Sequence, residues 1–151
     1  MVVYILLRVV HIACAAVWFG APLGLVKLLK MGLERGPDAF RMSAAVGAKR
    51  GAMAGIAGVL TLLTGLAMVF HLGGFGSVAP QIHGAILIAL VMLGISVGVL
   101  KPMGAELSEI AEKGLDEAGR TRAQAILKKM GPITHSIHGL WLLLLVLMYW
   151  R

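Results

Sequence analysis

The sequence predicts an all-α integral membrane protein, a four-helix up-down bundle with both termini on the outer side of the membrane. Hydrophobic side chains make up 59% of its 151 residues, and its mean hydropathy is +0.90. Both values exceed those of soluble domains, which are roughly half apolar. Four apolar stretches are long enough to cross a bilayer, which requires about 20 residues of helix. Most of the charges lie between these stretches rather than inside them, a pattern typical of multi-pass membrane proteins.

The four predicted spans cover about residues 3–29, 51–72, 82–100 and 133–150 of a single domain, residues 1–151. Gly36 and Pro37 predict a turn after the first span, followed by a helix that enters the second span without a break. The charged connection over about 101–131 predicts a cytoplasmic helical hairpin, because its apolar residues recur at helical spacing. Leu107, Ile110 and Ala111 share one face of this hairpin.

The distribution of charge predicts the orientation. Twelve of the fourteen Lys and Arg residues, and all seven acidic residues, lie at 27–50 and 101–129, whereas 73–80 carries no charge. Basic loops face the cytoplasm and its anionic leaflet. The net charge of +7 therefore indicates a lipid bilayer as partner, most simply the bacterial inner membrane, and not nucleic acid. Tyr4, Tyr149 and Trp150 would mark the outer interface.

Glycines recur in the second and third spans. Gly47, Gly51 and Gly55 are four residues apart, and Gly94 and Gly98 repeat the spacing. Small residues at this spacing let helix backbones approach closely in lipid. They favour tight packing, either within one chain or in a homodimer.

The first span carries the strongest functional signal. Arg8 and His11 are three residues apart and therefore share a helix face. Ionisable side chains at membrane depth are costly and usually functional. His11 lies seven residues beyond Tyr4, at a depth of roughly 10 Å. The sequence thus predicts a buried site around His11.

Depth selects the partner of His11 among the other histidines. His83 would lie at roughly 9 Å if its helix begins near Ser77, and His138 at roughly 16 Å. His11 and His83 are therefore the predicted axial pair for a b-type haem, with His138 as the alternative second ligand. Arg8, one turn outward, would pair with a haem propionate.

The remaining two histidines are weaker candidates. His71 closes the second span at the outer interface and is expected to be inert. His135 shares a face with His138 and could serve the cytoplasmic side.

Copper is an alternative cofactor or cargo. The chain has nine methionines, and Cys14 follows His11 by three residues. Soft sulfur and imidazole suit Cu(I), but the methionines form no paired motif and are commonly core filler. No Ser-His-Asp arrangement, phosphate-binding loop or intramembrane carboxylate is present in the sequence.

The first span resembles that of the small membrane protoporphyrinogen IX oxidases, in its His11-Ile pair with Trp18 seven residues and Lys27 sixteen residues later. Arg8 stands where that family has a lysine. Ile82-His83 is similar to its second histidine motif, and Gly131-Pro132 falls where a later span opens with proline. The wider group includes copper-resistance D-like proteins. The resemblance implies haem b on His11.

The predicted function is that of a haem b protein that transfers electrons to an unidentified redox partner or senses a small redox ligand. Three alternatives stay open: a protoporphyrinogen oxidase-like enzyme with a haem cofactor, a copper transport or handling protein, and a structural membrane module without haem.

Overall fold

The computed structural model describes residues 2–149, and its regular structure is entirely helical. Six α-helices form four long segments, and the chain reverses direction between successive segments. Their bounds are α1 Val2–Gly20, α2 Leu25–Arg35, α3 Pro37–His71, α4 Pro80–Ile95, α5 Lys101–Lys113 and α6 Glu117–Tyr149. A short 3₁₀ turn, Phe75–Ser77, precedes α4, and a π-helical segment, Ser96–Leu100, joins α4 to α5.

Four helical segments are long and apolar enough to cross a membrane: Val2–Arg35, Pro37–His71, Pro80–Lys113 and Glu117–Tyr149. Each has 33 to 35 residues, and an unbroken helix of that length is about 50 Å long at 1.5 Å per residue. A hydrocarbon core is only about 30 Å thick. Each segment therefore has room for a span and for a charged extension beyond it.

The first segment is broken where the sequence predicted a continuous helix over 3–29. The backbone turns between Gly20 and Leu25 because Pro22 has no N–H to donate to the carbonyl of Trp18 four residues earlier. Gly24 then adopts a φ of 71°, a left-handed conformation that favours glycine. The break gives α2 its own direction.

The second segment is one unbroken helix, α3, as predicted. It begins at Pro37, directly after Gly36, whose φ of 111° reverses the chain. Proline is favoured in the first turn of a helix because its missing N–H has no helical partner there. Helix α3 therefore runs from the charged end of the protein to its apolar end and contributes side chains to the cores of both.

The third segment changes its winding at Ser96–Leu100, where a π-helical turn leads into α5. Pro102 follows and cannot donate a hydrogen bond to Gly98, so the regular i−4 pattern is interrupted there. The backbone N–H of Lys101 instead reaches the carbonyl of Ser96 five residues earlier. The helix continues to Lys113.

The charged ends of the helices pack around a core of their own. Phe40 and Ala123 are fully buried there, and Leu107 and Leu127 are 1% exposed. This core combines side chains from α2, α3, α5 and α6. The charged end is therefore a packed helical unit, with α2 bridging α3 and α6.

The apolar end has a smaller core around Trp18, Ala57, Ala89, Met92 and Ile137. Large apolar side chains on the outside of this end are exposed, among them Leu63 at 57%, Leu87 at 63% and Leu142 at 59%. Soluble monomers rarely expose so much contiguous apolar surface. Such a surface suits contact with lipid.

Candidate functional site

A cavity of about 450 Å³ opens between α1, α3, α4 and α6 in the apolar end. Its lining is mostly aliphatic and aromatic, and it includes Tyr4 near the start of the described chain and Tyr149 at its end. Both ends of the described chain therefore lie at the same end of the bundle. Arg8 and His11 contribute polar groups from α1.

The imidazole of His11 is fixed by two contacts with α3. Its Nδ1 lies 2.9 Å from the backbone carbonyl of Thr61 and 3.1 Å from the hydroxyl of Thr64. A carbonyl only accepts hydrogen bonds, so Nδ1–H donates to it and Nε2 of the neutral ring keeps its lone pair. No hydrogen bond from the described residues reaches Nε2. This tautomer is the one that ligates metals through Nε2.

Glycines of α3 make room for the side chains of α1. A Cβ on Gly65 would lie 3.2 Å from Cε1 of His11, and one on Gly58 would lie 2.9 Å from Cε2 of Trp18. His11 therefore occupies a position that a larger residue at 65 would disturb. Trp18 is buried and also lines the cavity.

Arg8 is the cation at this cavity. It lies one turn outward from His11, and within residues 2–149 no carboxylate comes within 4 Å of its guanidinium. All seven acidic residues lie between positions 34 and 117. The cavity thus combines an apolar wall, an imidazole with a free lone pair and a cation without a protein counter-ion.

His83 does not join His11 at this cavity. Helix α4 begins at Pro80 rather than near Ser77, so His83 lies three residues into it, roughly 4.5 Å along the axis. The side chain is exposed, and its ring lies 5.8 Å from that of Phe75. The cavity lining includes its neighbours Ile82 and Ala85 but not His83.

His138 is also outside the cavity lining. Its ring meets Phe19 of α1 edge to face at 5.1 Å. Its Nε2 is buried and has no hydrogen-bond partner among the described residues. The structure therefore brings His138 against α1, but at Phe19, eight residues from His11.

The other two histidines have local partners. His71 ends α3 and is exposed, with its ring stacked on Tyr4 at 5.8 Å and 18°. Nδ1 of His135 donates to the carbonyl of Gly131 at 2.8 Å. Neither residue lines the cavity.

Sulfur ligands are dispersed. Cys14 is half-buried and does not line the cavity, whereas Met68 and Met148 do. Within residues 2–149 no three His, Cys, Asp or Glu side chains converge as a metal site.

Sequence reasoning singled out Arg8 and His11 but missed the residues that support them. Thr61 contributes a backbone carbonyl, which its side chain does not signal. Gly65 lies seven residues after Gly58, and His11 lies seven before Trp18. This matched spacing was the available signal, because residues seven apart lie on one helix face.

Comparison with protein-family models, with curated proteins and with solved structures finds no match for this chain.

Proposed function

We propose that this multi-pass membrane protein binds haem b in the cavity, with Nε2 of His11 as an iron ligand, and that it transfers electrons or senses a small redox ligand. The observation that carries the proposal is the hydrogen bond from Nδ1 of His11 to the carbonyl of Thr61. Metal-ligating histidines usually donate their other ring N–H to a carbonyl or carboxylate, which orients the ring and raises its basicity.

The rest of the cavity suits the same group. Its volume of about 450 Å³ lies within the range of about 300–1,000 Å³ that is common for small-molecule and cofactor sites. A tetrapyrrole is apolar over most of its surface and anionic at its propionates. The apolar walls would hold the ring, and Arg8 would neutralise a propionate. Bound haem would supply one-electron chemistry.

The proposed second iron ligand differs from the one that the sequence predicted. The pairing of His11 with His83 remains a prediction, but His83 is exposed outside the cavity lining. The thioethers of Met68 and Met148 belong to that lining. Haem proteins with His/Met ligation are well represented. We therefore favour His11 as the one histidine that would hold the haem, with Met68 or Met148 as the candidate for a second ligand.

Loss of haem on single substitution tests the proposal. Purified His11→Ala should lose most of its haem and its Soret band, because the iron loses its imidazole. His83→Ala should keep near-parental haem, and exposed His71→Ala serves as the matched control. The measurement is the haem-to-protein ratio with reduced-minus-oxidised spectra.

Two results would contradict parts of this proposal. Equal haem loss in His11→Ala and His83→Ala would restore the bis-histidine hypothesis. A colourless parental protein that also fails to take up added haem would exclude haem altogether. Near-stoichiometric copper that is lost from Cys14→Ala would then favour the copper alternative, and rescue of cells lacking protoporphyrinogen oxidase would favour the enzyme.

We further propose that the charged end faces the cytoplasm and that both termini face outward, in the inner membrane of a bacterium. The enrichment of Lys and Arg at 27–50 and 101–129 supports this orientation. It places the haem cavity toward the outer leaflet.

A further inference from the structure

A second cavity, of about 240 Å³, lies at the charged end between α2 and α6. It shares no lining residue with the cavity at the apolar end. The charged groups at its wall are Lys30 and Glu34 of α2 and Arg120 and Lys128 of α6, and Gln124 of α6 adds an amide. Buried Leu33 and Leu127 also line it.

The cavity carries an excess of positive charge. Lys30, Arg120 and Lys128 face one carboxylate, Glu34, and none of the three cations has a carboxylate within 4 Å among residues 2–149. Three other cations of the charged end form ion pairs, namely Arg41–Asp38, Lys113–Glu109 and Arg122–Glu106. At the cavity, three cations against one carboxylate leave an excess of positive charge that would stabilise a bound anion.

Arg120 is held in place for such a role. Its Nη1 donates to the backbone carbonyl of Leu33 at 3.0 Å, and the side chain is half-buried. A guanidinium has five N–H donors, so most of them remain for a ligand. The planar fork suits phosphate oxygens, and fixing it in advance reduces the entropy lost on binding.

The cavity begins at the level of the inner membrane surface. Lys128 lies 21 residues before Tyr149 on the same helix, roughly 31 Å along its axis. This length matches the thickness of the hydrocarbon core, about 30 Å. With Tyr149 at the outer interface, Lys128 reaches the opposite headgroups, and Arg120 lies two turns deeper in the cytoplasm.

From this arrangement we infer that the cavity between α2 and α6 binds a phosphate-bearing anion, either the headgroup of an anionic lipid or a soluble phosphate. Basic pockets between helices on the cytoplasmic side bind anionic headgroups. The inference goes beyond the proposed haem function and does not depend on it.

The test uses the full chain in an uncharged detergent, with two probes in separate titrations: phosphatidylglycerol and inorganic phosphate. The variant Lys30→Gln/Lys128→Gln removes two cations from the cavity wall. Its control, Lys27→Gln/Lys129→Gln, removes two exposed cations of the same helices that do not line the cavity. Native mass spectrometry reports bound lipid, and thermal unfolding reports stabilisation by either probe.

The parental protein should bind at least one probe, and the cavity variant should bind it roughly thirtyfold more weakly, because each surface cation contributes about a fivefold effect. The control should bind as the parent does. Binding of phosphatidylglycerol but not of inorganic phosphate identifies a lipid site, and binding of inorganic phosphate alone identifies a site for a soluble phosphate. Equal loss in both double variants, or no binding of either probe, overturns the inference.

Discussion

Two side chains of α1 lie in gaps left by glycines of α3. Trp18 packs at Gly58 and His11 at Gly65, so the two contacts are two helical turns apart on each helix. Such close approach substitutes for the hydrophobic driving force that helices lack in lipid. The position of the candidate iron ligand is therefore set by backbone contact as well as by its hydrogen bond.

We predict that Gly58→Ala destabilises the protein and that Gly55→Ala does not. The new Cβ at 58 would lie 2.9 Å from Cε2 of Trp18, so the indole or the helix must shift. Overpacking of this kind costs about 1–3 kcal/mol. A Cβ at 55, on the same helix, meets nothing within 4 Å. Thermal unfolding in detergent measures both, and equal melting temperatures would contradict this contact.

At this scale the sequence predicted His11 and Arg8 but not their surroundings. An ionisable residue inside an apolar helix is easy to recognise in a sequence. Placing such a residue in lipid costs free energy, so it usually has a function. The acceptor of its hydrogen bond is a backbone carbonyl, which any residue at 61 would offer. The depth predicted for His83 assumed a helix that begins near Ser77, whereas α4 begins at Pro80, after the 3₁₀ turn at Phe75–Ser77.

At the scale of elements, the turn between α1 and α2 separates the apolar and charged parts of the first segment. The sequence predicted one helix over 3–29 because the stretch is apolar and long enough to cross a bilayer. Pro22 and Gly24 interrupt this helix, since proline lacks an N–H and Gly24 adopts a left-handed conformation. The turn lets α2 lie between α3 and α6 at the charged end.

The conformation of Gly24 gives a test of this turn. Gly24→Ala places a Cβ at a φ of 71°, which costs about 1–2 kcal/mol for an L-residue. Gly20→Ala is the matched control, because Gly20 ends α1 with ordinary φ and nothing lies within 4 Å of its Cβ position. Only Gly24→Ala should lower the melting temperature. An unchanged melting temperature for Gly24→Ala would mean that residue 24 does not adopt a left-handed conformation in the protein as purified.

At the scale of the whole molecule, the protein has two packed ends, one apolar and one charged at its surface. Apolar content and span length predicted four segments that could cross a membrane, and over residues 2–149 the structure has four helical segments long and apolar enough to do so. The core of the charged end was harder to predict from the sequence. The spacing of Leu107 and Ala111 predicted a helix face, but only the packing of α2 against α6 creates the basic cavity beside it.

Orientation in the membrane gives the last prediction. Alkaline phosphatase, which is active only outside the cytoplasm, should be active when fused after Arg151 and inactive when inserted at the turn between α5 and α6, near Gly114. A fluorescent protein that folds only in the cytoplasm should give the opposite result at both positions. The physical reason is the cationic excess near the charged end, which resists translocation and is attracted to the anionic inner leaflet. Activity in the reversed pattern would move the proposed haem site to the cytoplasmic side and the basic cavity to the outer surface. That result would exclude an inner-leaflet lipid as the anion while leaving His11 as the iron ligand, so the orientation and the haem proposal can fail separately.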